Sequence, residues 1–287
     1  GLASRCGARG RAGIAALLAR VAKALDRRHT RAARAFVTQA FGAELTELRR
    51  EELVLAAWRH LFQLTLDDAR FNAVVIGPQL LEHFEVVMCA EARAALAARE
   101  GVMVVGPHVG MWEAVPAVCV ALGFKPLYVV SRPPHNRPLS RHAQRVREAR
   151  GYRVMHRHGA VETMTKVAQA GGSIGLMLDQ RAHGKTVIAP FFGRPAHCER
   201  AVAVLLRRLR MPVVFVACYR TATPFRYRAE FTSVIRPEQF AHASPEVIAA
   251  AVNRELERLI RAAPEQYFWL HDRYRNAPEL SAGAGEP

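Results

Sequence analysis

Apolar positions along the chain change texture near residue 100. From Arg31 to Arg70, Phe36, Val37, Ala40 and Phe41, then Leu53, Ala56, Ala57, Leu61 and Leu64, recur at three- and four-residue steps. That spacing predicts two amphipathic helices, closed by the polar stretch from Asp67 to Asn72, with a further helix over 90–99. Gly101-Val-Met-Val-Val-Gly106 is then a short apolar run bounded by glycines, the pattern of a buried strand. Beyond it, strands are expected at 126–132, 152–156, 173–178, 186–192 and 212–219, and helices at 138–150, 160–170, 199–209 and 245–261. The alternation over 227–235 predicts an edge strand. Strands alternating with helices predict an α/β fold: one domain with a central mainly parallel or mixed sheet flanked by helices, preceded by N-terminal helices.

The first segment, Gly1 to Leu25, carries Ile14, Leu17, Leu18 and Val21 interrupted by Arg20 and Lys23. It falls short of the roughly 20 apolar residues that a spanning helix needs. Basic and apolar residues at helical spacing suit an interfacial helix; a loosely ordered terminus is the alternative. No later stretch is long and apolar enough to span a bilayer.

Composition narrows the partners. Lys and Arg total 41 against 25 acidic residues among 287, a formal net charge of +16. Such a chain is drawn to nucleic acid, anionic lipid or an acidic protein. Zinc-finger spacing, a basic-aromatic RNP pattern and a clustered basic helix are all missing, so no nucleic-acid partner is expected. Cys6, Cys89, Cys119, Cys198 and Cys218 are odd in number and never form a CxxC pair, which fits reduced thiols and a cytosol-facing protein. His156 and His158 have no partner at zinc-ligand spacing, so no metal is expected.

The sharpest local feature is Gly106-Pro-His108-Val-Gly-Met-Trp-Glu113. A buried strand ends at Val105, His108 sits in the following turn, and a helix is expected to start near Met111. The carboxyl end of a strand in an α/β sheet is where ligands bind. With His108 in the turn and Glu113 in the first helical turn, the carboxylate can fold back onto the imidazole. That pairing would protonate one ring nitrogen and leave the other as a base. Chance alone often places a His and a Glu five residues apart, so spacing by itself does not distinguish a catalytic pair.

Residues 106–113 resemble the HxxxxE block of the bacterial lipid A biosynthesis (lauroyl/myristoyl) acyltransferase family, within the wider HxxxxD/E glycerolipid acyltransferases. Further blocks are similar in the same order. Val129-Val-Ser-Arg132-Pro-Pro-His-Asn136 resembles the family's strand ending in Arg with an Asn-containing loop, and 147–151 its Arg–Gly segment. Leu178-Asp179-Gln180 with Phe191-Phe192-Gly193-Arg-Pro195-Ala196 resembles its DQ…FFGxPA block. Pro264 to Arg275 resembles the closing signature, and Leu25 to His29 the basic stretch after its anchor. The chain departs from the family in its weak N-terminal anchor remnant, in His197-Cys198-Glu199, and in Tyr267 where Trp is usual.

The resemblance implies transfer of a fatty acyl group from an acyl carrier protein thioester to a hydroxyl of a lipid A precursor or related glycolipid. His108 would be the general base and Glu113 would orient and charge it. A lysophospholipid, a phosphatidylinositol mannoside or an amino-acid lipid is the alternative acceptor, and an inactive membrane scaffold a more distant reading. No cofactor is implied beyond the acyl-carrier-protein or acyl-coenzyme A co-substrate. The implied partners are acyl carrier protein and anionic membrane lipid, and the implied place is the cytoplasmic face of the bacterial inner membrane, peripheral or monotopic. Expected segments are 1–30, an amphipathic or anchor-remnant stretch, 31–276, the acyltransferase domain, and 277–287, a flexible tail.

Arg132 and Asn136 are candidate substrate-binding residues, Arg132 for a phosphate. Arg150 either touches substrate or is an ordinary exposed helix end. Asp179 and Gln180 either brace the site or bind acceptor hydroxyls, or else form a structural turn or cap. Phe191, Phe192 and Trp112 are expected to pack, Tyr267 and Trp269 to lie in the core or at a membrane interface, and the remaining histidines, such as His83, His142 and His242, on the surface.

Overall fold

The computed structural model describes residues 7–74, 77–131, 137–156 and 160–278. Three helices come first: α1 (Ala8–Leu25), α2 (Arg27–Phe41) and α3 (Glu47–Val74). Asp26 caps α2, accepting a hydrogen bond from the His29 amide at 3.0 Å, which satisfies one of the first-turn donors. The polar residues from Asp67 onward do not close α3, as their composition suggests; the helix runs on to Val74. Tertiary structure explains the difference, because Asp67 is 2% exposed and receives the Tyr227 hydroxyl at 2.9 Å.

The remaining chain alternates. In order come β1 (Phe84–Met88), α4 (Ala90–Ala97), β2 (Met103–Gly106), α5 (Val115–Leu122), β3 (Leu127–Ser131) and α6 (Arg137–Ala149). Then follow β4 (Arg153–His156), α7 (Ala160–Gln169), β5 (Ser173–Met177), the hairpin β6 (Thr186–Phe191) and β7 (Arg194–Glu199), α8 (Ala201–Arg208), β8 (Val213–Arg220), β9 (Tyr227–Ile235) and α9 (Pro245–Ala262). Seven strands form one mixed sheet in the order β1-β9-β8-β2-β5-β3-β4. Neighbours are parallel except β8 and β9. This is the α/β architecture that the alternation predicts, with N-terminal helices in front.

Three strands differ from the expectation. β9 is not an edge strand, because β1 pairs alongside it from Phe84↔Tyr227 to Met88↔Phe231. β1 is only five residues, with a half-exposed face, so its apolar pattern is too short to stand out. β7 was not expected either; it folds back on β6 through Phe192-Gly193, whose φ values of +47° and +72° form a two-residue turn suited to a twisted hairpin.

Core residues lie on both faces of the sheet. One cluster gathers Phe36, Met103, Phe191, Phe215, Leu256 and Trp269 with their neighbours. The other gathers Phe71, Val104, Cys119, Leu127, Val216 and Phe231. Tyr267 and Trp269 are 1% and 0% exposed, which places them in the core rather than at an interface. His83 is half-buried, its ring against Phe71 and Phe225. His60 is 3% exposed, so not every remaining histidine is on the surface.

Candidate active site

β2 and β5 are adjacent and parallel, with Gly106 opposite Met177. His108 and Asp179 each lie two residues beyond those partners, so the register alone brings them side by side. The His108 amide donates to Asp179 Oδ2 at 3.0 Å, and its Nδ1 lies 2.8 Å from Oδ1. One carboxylate thus fixes both the backbone and the ring. An ionised carboxylate only accepts, so Nδ1 carries the proton and Nε2 is left as the acceptor. The His108 side chain is 20% exposed and Asp179's is 1%.

The turn is pressed against its neighbours from below. A Cβ on Gly106 would lie 2.4 Å from the Val216 carbonyl oxygen, and one on Gly110 1.8 Å from that of Cys218. Gly110 also adopts φ +60°, a conformation that glycine takes without penalty. The segment 264–274 forms the back wall. Phe268 N donates to the His108 carbonyl at 3.0 Å, the Tyr267 hydroxyl donates to Asp179, and the Gln266 side chain bonds both main-chain groups of Arg220. The Trp112 ring meets the His108 ring edge-on at 5.4 Å.

Burial disfavours the His108 imidazolium, but the charge and hydrogen bond of Asp179, with the charge of Glu113, outweigh it and raise the ring above its ordinary value. Burial would likewise raise the Asp179 carboxyl. The facing imidazole, the His108 amide and Tyr267 instead hold it below the usual range. Nearby His271 is pushed down to about 4 by burial first, with Arg273 and His108 adding to the shift. It is neutral, and its Nε2 accepts from the Arg181 amide at 2.9 Å.

Glu113 does not make the predicted hydrogen bond to His108. Its carboxylate is bound by Arg147, whose Nη2 lies 3.3 Å from each oxygen and whose Nη1 donates to Ser131 at 3.0 Å. The reason is geometric: α5 begins only at Val115, and residues 112–114 form a 3-10 turn that presents Glu113 to α6. Glu113 still acts on His108 through its charge. Burial works against the Arg147 cation, but Glu113 more than offsets it and raises that guanidinium further.

His108, Glu113, Arg147, Gln180 and His271 line one cavity of about 1040 Å³ at the carboxyl ends of β2, β3 and β5. One arm runs along the sheet face beneath α5, between Val104, Val115, Cys119, Leu127, Val129 and Gly175. The rim is basic: exposed Lys185, Arg200 and Arg208 with half-buried Arg147 and Arg181, against the acidic Glu113 and Glu199. An apolar arm and a basic rim meeting at one histidine suit a substrate with a hydrocarbon chain and an anionic group.

The sequence model of the bacterial lipid A biosynthesis acyltransferase family matches residues 7–276. The chain belongs to that family. Among its relatives, a lipid A biosynthesis palmitoleoyltransferase of Escherichia coli (strain K12) is 28% identical over 201 residues, covering 68% of this chain and 62% of that protein. A lipid A biosynthesis acyltransferase of Shigella flexneri matches with the same identity and coverage. The chain therefore spans about 62% of the length of these curated relatives.

Within this family member, the expected site residues divide. His108, Glu113 and Gln180 line the cavity, and Asp179 lies beneath His108 rather than at the cavity surface. Arg150 points elsewhere, to Asp68 at 2.9 Å and the Glu113 carbonyl at 3.4 Å. Arg132 and Asn136 lie outside the described residues. The sequence blocks point to the segment 147–151 but not to Arg147 itself. The signal available was one helical turn: Arg147 lies in the last turn of α6 and Arg150 just past its end, and only packing decides which faces the cavity. Tyr267 and His271 carry no local sequence signal beyond membership of the closing block.

Proposed function

We propose that the protein is an acyltransferase that moves a fatty acyl group from an acyl carrier protein thioester to a hydroxyl of a lipid A precursor. The observation that carries this reading is the Asp179-oriented His108 at the junction of an apolar arm and a basic rim. The acyl chain lies in the arm beneath α5, and an acceptor phosphate or the carrier's phosphopantetheine lies on the rim, where Arg147 is held half-buried by Glu113.

His108 Nε2 takes the proton of the acceptor hydroxyl as its oxygen attacks the thioester carbonyl. The tetrahedral intermediate collapses with cleavage of the C–S bond, and the departing thiolate takes the proton back from the imidazolium. A positioned base of this kind contributes roughly 10²–10⁴-fold. Asp179 holds the productive tautomer. Glu113 acts on His108 through its charge and holds Arg147 at the rim. No acyl-enzyme is needed, because the cysteine that lines the cavity, Cys119, has its thiol pushed up to about 12 by burial and is a poor nucleophile.

The protein works at the cytoplasmic face of the inner membrane. Among the described residues no helix is long and apolar enough to cross a bilayer. On α1, Ile14, Leu17, Leu18, Val21 and Leu25 are 39–78% exposed and recur at helical spacing, which suits contact with a lipid surface. Binding to phosphatidylglycerol vesicles that weakens with salt is expected, each base near the surface contributing about 1 kcal/mol.

The test is acyl transfer from a panel of acyl-carrier-protein donors to lipid A precursors and to lysophospholipids, with products identified by mass spectrometry. Transfer to the lipid A precursor, lost in His108→Ala, is expected. Transfer to a phospholipid would move the acceptor class. No transfer with any donor or acceptor would overturn the reading.

A further inference from the structure

Gly106, Gly110 and Gly175 all lie near the cavity, yet they are glycine for different reasons. Gly106 and Gly110 have no room for a side chain because a backbone carbonyl occupies the space. Gly175 is different. It sits inside β5, between Val104 of β2 and Val129 of β3, in register with both. A Cβ there would meet the Val129 Cγ2 at 3.1 Å, and the next nearest atoms are 3.8 Å away. No backbone crowds it, and its φ is not in the left-handed range. Glycine inside a strand weakens it and marks a place where a ligand or another backbone comes close. Here the crowding atom is a side-chain methyl, Val129 Cγ2, and Gly175 itself lines the cavity, so an added side chain would reach into the space left for a ligand.

The strand levels give the arm a scale. Gly106, Met177 and Ser131 are at the mouth, Val104, Gly175 and Val129 one step down, and Leu127 another step down, opposite Ser173. Side chains two residues apart share a face, and Val104, Val129, Gly175 and Leu127 all line the cavity. Cys119 of α5 lines the cavity over this face, on the opposite wall. The four steps along β5 from Met177 to Ser173 span ~13 Å at the strand rise, room for roughly ten to twelve carbons of an extended chain.

We infer that Gly175 sets the depth open to the acyl chain, so that the missing side chain selects donor length; this rests on the proposed acyl transfer. Any side chain at 175 projects into the arm halfway down and stops longer chains at the level of Val129. Leu127 is the floor, and shortening it deepens the arm.

The experiment measures kcat/KM for saturated acyl donors from eight to sixteen carbons in wild type, Gly175→Ala, Gly175→Val and Leu127→Ala. In parallel, free saturated fatty acids of the same lengths are tested for stabilisation against thermal unfolding, a readout that does not need turnover. The expected result is a graded loss of the longest donors in Gly175→Ala and Gly175→Val, roughly tenfold or more in the latter, with the shortest donors retained. Leu127→Ala should shift preference towards longer chains. The fatty-acid profile should move in the same directions. A loss uniform across lengths, or unchanged length profiles in both assays, would overturn the inference. Wild type without acyl transfer but with a fatty-acid length profile that shifts in the variants would sink the transfer reading and leave the ruler standing.

Discussion

His108 and His60 each lie close to a buried aspartate, and their protonation is pushed in opposite directions. His108 binds Asp179 directly, with Nδ1 2.8 Å from a carboxylate oxygen. His60 lies on α3 near Asp67, but Arg220 stands between them, its Nη1 3.2 Å from His60 Nδ1 and its Nε 3.3 Å from Asp67. Burial lowers both rings. At His108 the carboxylate overturns that effect and the ring is raised. At His60 burial and the Arg220 charge act together, and the ring is held well below its ordinary value. A buried carboxylate makes a base only when no cation has claimed it first. The Asp67 site, where Arg11 also lies within 3.7 Å, is a structural junction tying α1 and α3 to β8 and β9.

The sharpest test of this contrast removes each histidine. His108→Ala should lower kcat by roughly 10²–10⁴-fold, measured with the full acyl donor panel. The same enzyme should keep its thermal transition within a few degrees. A variant with near wild-type turnover would end the assignment of His108 as base.

Asp179→Asn should cost roughly a hundredfold in kcat, less than loss of the base itself. Its pH profile is more telling. With His108 raised above about 6.5, the wild-type rise of kcat/KM towards neutral His108 lies on the alkaline side of that value. Losing the carboxylate should shift the rise to lower pH. An unmoved limb would show that Asp179 does not set the ring's charge.

Asp67→Ala should destabilise the fold by about 3 kcal/mol, as breaking a buried charge cluster does, with turnover per folded molecule unchanged. Urea unfolding followed by circular dichroism measures the first, and active-site-normalised kinetics the second. A drop in turnover that is not explained by unfolding would mean the two aspartate sites communicate.

The smallest effect is a pH dependence of stability. A folded His60 pKa below the unfolded value means that its contribution is present above about 6.5 and is lost as pH falls. His271, at about 4, adds the same sign between about 6.5 and 4. His108 has the opposite sign, full below about 6.5 and fading as pH rises through its raised value. His60→Leu should therefore cost about 1 kcal/mol at pH 7 and flatten the loss between pH 7 and 5. An unchanged slope would place the acid sensitivity elsewhere.

Much of the site's place in the fold was legible in residues 101–113. The apolar run ending at Val105 and the Pro107 break put His108 at a strand's carboxyl end, and the buried run ending at Leu178 did the same for Asp179. Both were singled out, but as members of separate pairs. Pairing them needed the β2–β5 register, which depends on which strands become neighbours across 71 residues of chain. The five-residue spacing suggested Glu113 as the partner of His108. The 3-10 turn at 112–114 and the approach of α6 gave Glu113 to Arg147 instead. The choice between Arg147 and Arg150 was equally invisible, since both are bases near the end of one helix.

The sequence by itself determined most element types, though not β1 or β7, together with the buried character of β2, β5 and β8 and the basic surface, and its ordered blocks pointed to the family. The elements and the charge follow from periodicity and composition and the family from the motif blocks, all read along the chain. Only the tertiary structure decided which carboxylate meets which cation, that Asp67 extends a core rather than ending a helix, and that Gly175 faces a cavity. Those outcomes depend on contacts between residues far apart in the chain, where one shift in register would exchange every partner.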